Sequence, residues 1–180
     1  MRPPRVSPLR AVRALLGRDA LPEGFAGVLE ADERLLASAP VTGGGHVVVT
    51  SWGVWLPEEA PRRIGWHRIS RATWNAGTFA LVEADEDEIA PAVVVLTDRP
   101  ARRLRLAEPG RVPEVVHDRV TASIRTRHHR DLPDGGAWFV QRRVPGRDGV
   151  VLQVRPDPGT DADAVRRLAA EVARTLGRSS

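Results

Sequence analysis

The chain has 180 residues, 42% of them hydrophobic, enough for one domain or a domain with a small appendage that buries roughly 70% of the surface its unfolded form exposes. Cysteine is absent, which excludes disulfides, cysteine-ligated zinc and thiol catalysis. Formal net charge is +4, and the 27 basic residues are all arginine, with lysine and tyrosine missing altogether, the trace of a GC-rich genome. The arginines run from Arg2 to Arg178 among 23 acids rather than collecting on one segment, so nucleic-acid binding is not expected. No apolar run approaches the ~18 residues of a membrane span. Arg10 and Arg13 interrupt Leu9–Leu16, so no secretory signal is read, and a cytoplasmic location is the expectation.

Residues 1–24 are read as an N-terminal arm. Arg2-Pro3-Pro4-Arg5 is stiff and extended, and a short helix follows, capped by Ser7 and stopped by Gly17, with Leu9, Val12, Leu15 and Leu16 on one face. This helix docks on its own domain in one reading and lies on an anionic membrane surface in the other. From Glu33 to Leu106 the hydrophobic period changes to two. Strands are predicted at Arg34–Ala39, His46–Thr50, Val54–Leu56, Arg63–His67, Ala72–Trp74, Phe79–Glu83, Ala92–Leu96 and Arg103–Leu106. The Gly43-Gly44-Gly45, Gly53 and Asn75-Ala76-Gly77 turns punctuate them, and an acidic loop is read at Asp85–Glu88. Val112, Val115, Val116, Val120 and Ile124 then fall on one helical face, and polar Arg127–Arg130 leads into a connection at Pro133–Gly136. The last stretch reads strand (Trp138–Val144), strand (Val150–Arg155) and helix, the helix capped by Thr160 with Asp163 in the capping-box position.

Two curled antiparallel sheets followed by one amphipathic helix is the order of a pleckstrin-homology-like (PH-like) barrel, in which the helix plugs an open end. The local phrases resemble bacterial PH-like domains of unassigned function. They are Glu33-Arg34-Leu35-Leu36-Ala37, Val48-Val49-Thr50 with Gly53-Val54-Trp55-Leu56, and Arg63-Ile64-Gly65-Trp66-His67-Arg68-Ile69 before Ala72-Thr73-Trp74. Gly65 stands where the third phrase usually has proline. The resemblance covers about half the chain, with eight strand stretches where the barrel has seven. It implies an α+β fold: a PH-like domain at residues 25–130, with a strand-strand-helix extension at 131–180. Phosphoinositide-binding members carry basic residues in the first hairpin loop. Here that loop is Pro40–Gly45, with no arginine, which argues against lipid-phosphate binding there and for peptide or protein binding at an edge or groove.

Candidate chemistry is sparse. The Gly43–His46 run lacks the Gly-Lys-Ser/Thr ending of a phosphate loop and enters a strand. His46, His67, His117, His128 and His129 have no metal-ligand spacing, and Asp85–Glu88 lacks the alternation and central glycine of a calcium loop. Ser38, Ser51, Ser70 and Ser123 sit in no nucleophile motif. No catalytic, metal or cofactor residues are therefore named, and a non-enzymatic interaction module with a protein partner is the expected function. A peripheral membrane module is the alternative, and a small enzyme without a recognisable motif is the weaker one. Trp66 and Trp74 read as core. Trp52 and Trp55, three apart around Gly53, fall on opposite faces. With Arg62 and Arg63 they form the expected binding surface, because Trp and Arg dominate interface hot spots.

Overall fold

The computed structural model describes residues 20–177; the Ser7–Gly17 helix and its arginines lie outside them. Among the described residues the protein is α+β, with curled sheets and two α-helices. Strands β1 (Leu35–Pro40), β2 (His46–Thr50), β3 (Gly53–Trp55) and β4 (Arg63–Gly65) form an antiparallel sheet in chain order. A single 3-10 turn (Trp66–Arg68) leads to β5 (Ile69–Asn75), β6 (Thr78–Ala90), β7 (Val93–Asp98) and β8 (Arg102–Arg105). Helix α1 (Val112–Ser123) passes directly into β9 (Ile124–Leu132), followed by β10 (Gly135–Arg143), β11 (Val150–Pro156) and α2 (Ala162–Gly177).

Strand β6 serves two sheets in succession. Its first half pairs with β5 and β8, and its second half, from Ala84 to Ala90, pairs with β7. Beyond β7 the order continues β11, β10, β9, with β7 and β11 parallel and the rest antiparallel. A bridge between Val41 and Leu106 ties the end of β1 to the end of β8. The main core lies between the β1–β4 sheet and the β5–β6–β8 strands, and the Val112, Val115 and Val116 face of α1 closes one end of it. Helix α2 buries Val165 and Ala169 against Val93, Val95, Ala137 and Val154 on one face of the second sheet.

Local chemistry explains these elements. β2 buries Val47 to Thr50 on both faces, hence its β-branched run. The β5–β6 hairpin turns on Ala76 (φ 46°) and Gly77 (φ 77°), the pair of positive φ values a two-residue turn needs to match strand twist. Several expectations change. The Asp85–Glu88 run is strand, not loop, because Arg99 and Arg166 neutralise Asp85 and Asp87 and let the charges line a pleated surface. Arg127–Arg130 likewise lies in β9, so the C-terminal part has three strands before its helix. Trp74 is 37% exposed, on edge strand β5 beside the hairpin tip and beyond the core, whereas Trp66 is 2% exposed. Asp161, not Thr160, caps α2, accepting from the Asp163 and Ala164 amides. Thr160 instead exchanges hydrogen bonds with the Gly136 backbone.

The second sheet is joined to the first by polar side chains. Where the chain breaks from β4 into β5, the freed carbonyls need donors. Arg142, 5% exposed, donates Nη1 to the Trp66 and Ile69 carbonyls at 2.9 and 3.0 Å. Gln153 donates to the His67 carbonyl at 2.6 Å. Burial, with Arg155 nearby, pushes the Arg142 guanidinium down to about 10, so it stays charged at neutral pH. At the far end of this sheet His129 Nε2 meets Asp157 at 2.6 Å and Nδ1 meets Asp131 at 3.3 Å, tying β9 to the loop before α2.

Two outcomes follow. Arg142→Ala removes the side-chain donor shared by the Trp66 and Ile69 carbonyls, of which Trp66 keeps the Ile69 amide, and lowers the unfolding free energy by roughly 1–3 kcal/mol, read from urea denaturation. The Asp157 hydrogen bond raises the His129 pKa above 6.5. A raised folded-state pKa stabilises fully below the unfolded value and is lost as pH climbs through the folded one. Melting temperature therefore carries a component that falls as pH rises above 6.5. His129→Gln removes that component, and added salt shrinks it because the group is exposed.

Candidate functional site

Three of the four residues expected to form a binding surface are bonded to two buried carboxylates, Glu33 and Glu83. Glu33 accepts from Arg63, the Thr50 hydroxyl, Trp55 Nε1 at 3.3 Å and the Glu30 amide at 3.2 Å. Trp55 is buried, with Phe25 edge-on against it at 5.5 Å. Arg63, neutralised by Glu33, lies over the Trp52 ring at 4.9 Å. Arg62 turns away and clamps Glu83 with both Nη atoms at 2.8 and 2.6 Å. Arg68 and Arg99 reach the same carboxylate at 3.1 and 3.6 Å. Burial alone would raise Glu83, but the Arg62 hydrogen bonds and the three guanidinium charges outweigh it and hold the carboxyl below its usual range. Trp55 and Arg62 are thus each tied to a buried carboxylate, whereas Trp52, half-buried, has the Arg63 guanidinium over its ring.

Trp52 is covered by the loop joining β10 to β11, at residues 144–149. A Cβ on Gly146 (φ +74°) would fall 2.6 Å from Trp52 Cη2, so the loop approaches the indole as closely as it does only with glycine there. A groove opens on either side of this contact. The first, about 750 Å³, collects Arg34 just before β1, Arg119 of α1, Arg125 of β9, Arg143 of β10 and Arg147 of the loop, with Trp52 and Trp66 in its wall. None of these five arginines has a carboxylate partner among the described residues. Only Asp32 and Asp148 offset them along the lining. The second groove, about 560 Å³, shares Trp52 and Arg147 but is balanced in charge, with Arg63 and Arg68 facing Glu86 and Glu88. His67 borders it. Burial, and the charges of Arg68, Arg142 and Arg147, push this imidazole down to about 4, so it is neutral at physiological pH.

The lining of the first groove is mainly cationic. Ser51, in the first groove, accepts from the Arg34 amide and has no histidine beside it. Among the described residues no three His, Asp or Glu side chains converge as metal ligands. The arginines that matter escaped sequence reasoning because each comes from a different element, and each alone looks like an ordinary surface charge. Arg63 and Trp52, three-dimensional neighbours through the β3–β4 hairpin, were the legible part.

Gly146→Ala tests the loop contact. It forces a strained backbone and a collision with the indole, so stability drops by roughly 1–2 kcal/mol. Amide exchange speeds up across residues 144–149 before it does in β10 or β11. No family model, curated protein or solved structure matches this chain, and the role of the cleft is therefore read from its own side chains.

Proposed function

We propose that the protein is a non-enzymatic binding module on a PH-like scaffold, and that its Trp52 cleft receives an acidic segment of a partner protein. The scaffold reading is supported by strand order. A four-stranded meander precedes β5, the first half of β6, and β8, and α1 lies across the open end. In this reading β7 and the second half of β6 are an elongated hairpin onto which the C-terminal strands and α2 are built. The cytoplasm is the proposed location.

The observation that carries the function is the convergence of Arg34, Arg119, Arg125, Arg143 and Arg147, without ion-pair partners among the described residues, on one tryptophan-walled groove. Elsewhere in the molecule Arg62, Arg63, Arg68 and Arg99 are all matched to carboxylates. Exposed arginine–carboxylate pairs contribute about 0.2–1 kcal/mol each, so the groove steers and selects acidic partners more than it holds them, and binding weakens steeply with salt. The first hairpin loop, Pro40–Gly45, carries no basic residue, which separates this use from phosphoinositide capture at that loop.

Fluorescence anisotropy with a labelled Glu-rich peptide checks the proposal on the full chain. The peptide binds at low salt, and Arg119→Ala with Arg147→Ala weakens it at least about tenfold while leaving the melting temperature in place. Unchanged binding by that double variant places recognition elsewhere. Failure to bind the peptide together with sedimentation on anionic phospholipid vesicles, lost in a chain starting at Glu23, supports the membrane-surface alternative instead.

A further inference from the structure

The sheet that runs β6, β7, β11, β10, β9 ends in two edges of opposite charge. At one edge the second half of β6 pairs only with β7. The Ala84 carbonyl there accepts from Arg68, but from Glu86 to Ala90 no backbone partner lies on the outer side among the described residues. This stretch reads Glu86-Asp87-Glu88-Ile89-Ala90. At the other edge β9 pairs only with β10, and Arg125 to Asp131 are exposed, including Arg127, His128, His129 and Arg130. Arg127, His128, Arg130 and Glu88 have no ion pair among the described residues.

An open strand edge is a template for another strand, and proteins ordinarily guard it with charge. That guard works here between two copies of β9, and between two copies of β6, because like charges meet. It reverses between β9 and β6. We propose that copies of this chain associate head to tail, with β9 of one molecule adding to Glu86–Ala90 of β6 in the next.

Topology favours the arrangement. β6 is antiparallel to β7, β7 parallel to β11, and β11–β10 and β10–β9 are antiparallel, so β6 and β9 run in opposite directions. A copy displaced sideways therefore meets its neighbour as an antiparallel pair, the stronger ladder, with α2 on the same face of both. Side-chain phase agrees as well. Through the register Glu88, Val94, Gln153, Val140, Arg127, the acids Glu86 and Glu88 share a face with Arg127 and His129. Asp87, which already pairs with Arg166 of α2, shares the opposite face with His128 and Arg130. The contact joins two different surfaces, so it propagates into an open chain or closes into a ring rather than stopping at a dimer. A single short strand pair buries much less than the ~1,200 Å² of a standing complex, so association is weak and governed by concentration.

Sedimentation velocity of the full chain at low salt, from about 10 μM to about 1 mM, is the test. The sedimentation coefficient climbs with concentration without levelling at a dimer, and falls back when salt is added. Arg127→Glu with Arg130→Glu, and separately Glu88→Lys, each shift association to at least about tenfold higher concentration, with circular dichroism unchanged. Mixing these two variants restores it, because each brings the edge that the other lacks. A wild-type chain that stays monomeric throughout, a plateau at two copies, or a mixture no better than its parts would overturn the proposal.

Discussion

The break between β4 and β5 is the point on which the rest of the structure depends. A strand that stops and restarts one 3-10 turn later leaves carbonyls at Trp66, His67 and Ile69 facing the interior, where each unmet group costs about 1–3 kcal/mol. Within the turn itself the Ile69 amide donates to the Trp66 carbonyl. Arg142 and Gln153, from two neighbouring strands of the C-terminal sheet, meet all three. Arg142 has no carboxylate beside it, and its charge is accommodated by carbonyl dipoles alone. Few side chains suit that position. Methionine would fill the space but take the Nη1 donor away from both carbonyls. The C-terminal strands are in this sense part of the first sheet's hydrogen-bond accounting rather than an addition to it.

Three of the uses of arginine in this lysine-free chain bear on the cleft. Arg142 is an internal donor. Arg62, Arg63, Arg68 and Arg99 surround Glu33 and Glu83, and these buried carboxylates fix the entry and exit of the β3–β4 region. Arg34, Arg119, Arg125, Arg143 and Arg147 face an open groove with no carboxylate of their own among the described residues. The first two groups make their hydrogen bonds within the fold. Net charge or isoelectric point merges all three, whereas the groove arginines are set apart by converging on one cleft without a carboxylate partner among the described residues.

The strand meander from Leu35 to Phe79 and the helix at Val112 were legible, because alternation, glycine turns and a 3.6-residue period act over short range. Two features misled. The acidic run at Asp85–Glu88 reads as a loop by composition, yet it is strand because its counter-ions, Arg99 and Arg166, arrive from β7's far end and from α2. The basic run at Arg127–Arg130 reads as a connection, and is strand because β10 supplies a full ladder on one side. In both cases long-range partners override local propensity. The cleft was half legible. Trp52 and Arg63 are close in sequence and in space. Trp55 and Arg62 are equally close in sequence, but each is drawn inward by a carboxylate, at Glu33 and Glu83, that no local pattern pairs with it.

Placement of the cleft follows from this division of labour. Its walls come from the start of β1, the end of α1, the start of β9 and the β10–β11 loop, so it exists only once the two sheets are joined. The joining residue, Arg142, directly precedes Arg143, and successive strand residues point to opposite faces. One arginine of the pair is buried and bonded to carbonyls of the first sheet, while the next lines the open groove. The backbone geometry that locks the sheets together therefore also aims a free guanidinium at the surface. Arg147, which follows on the same loop, is held there by the contact of Gly146 with Trp52. The groove's charge is thus set by the same few residues that close the fold. A chain without the C-terminal sheet would lose both the Arg142 and Gln153 side-chain donors at the β4–β5 break and most of the basic wall.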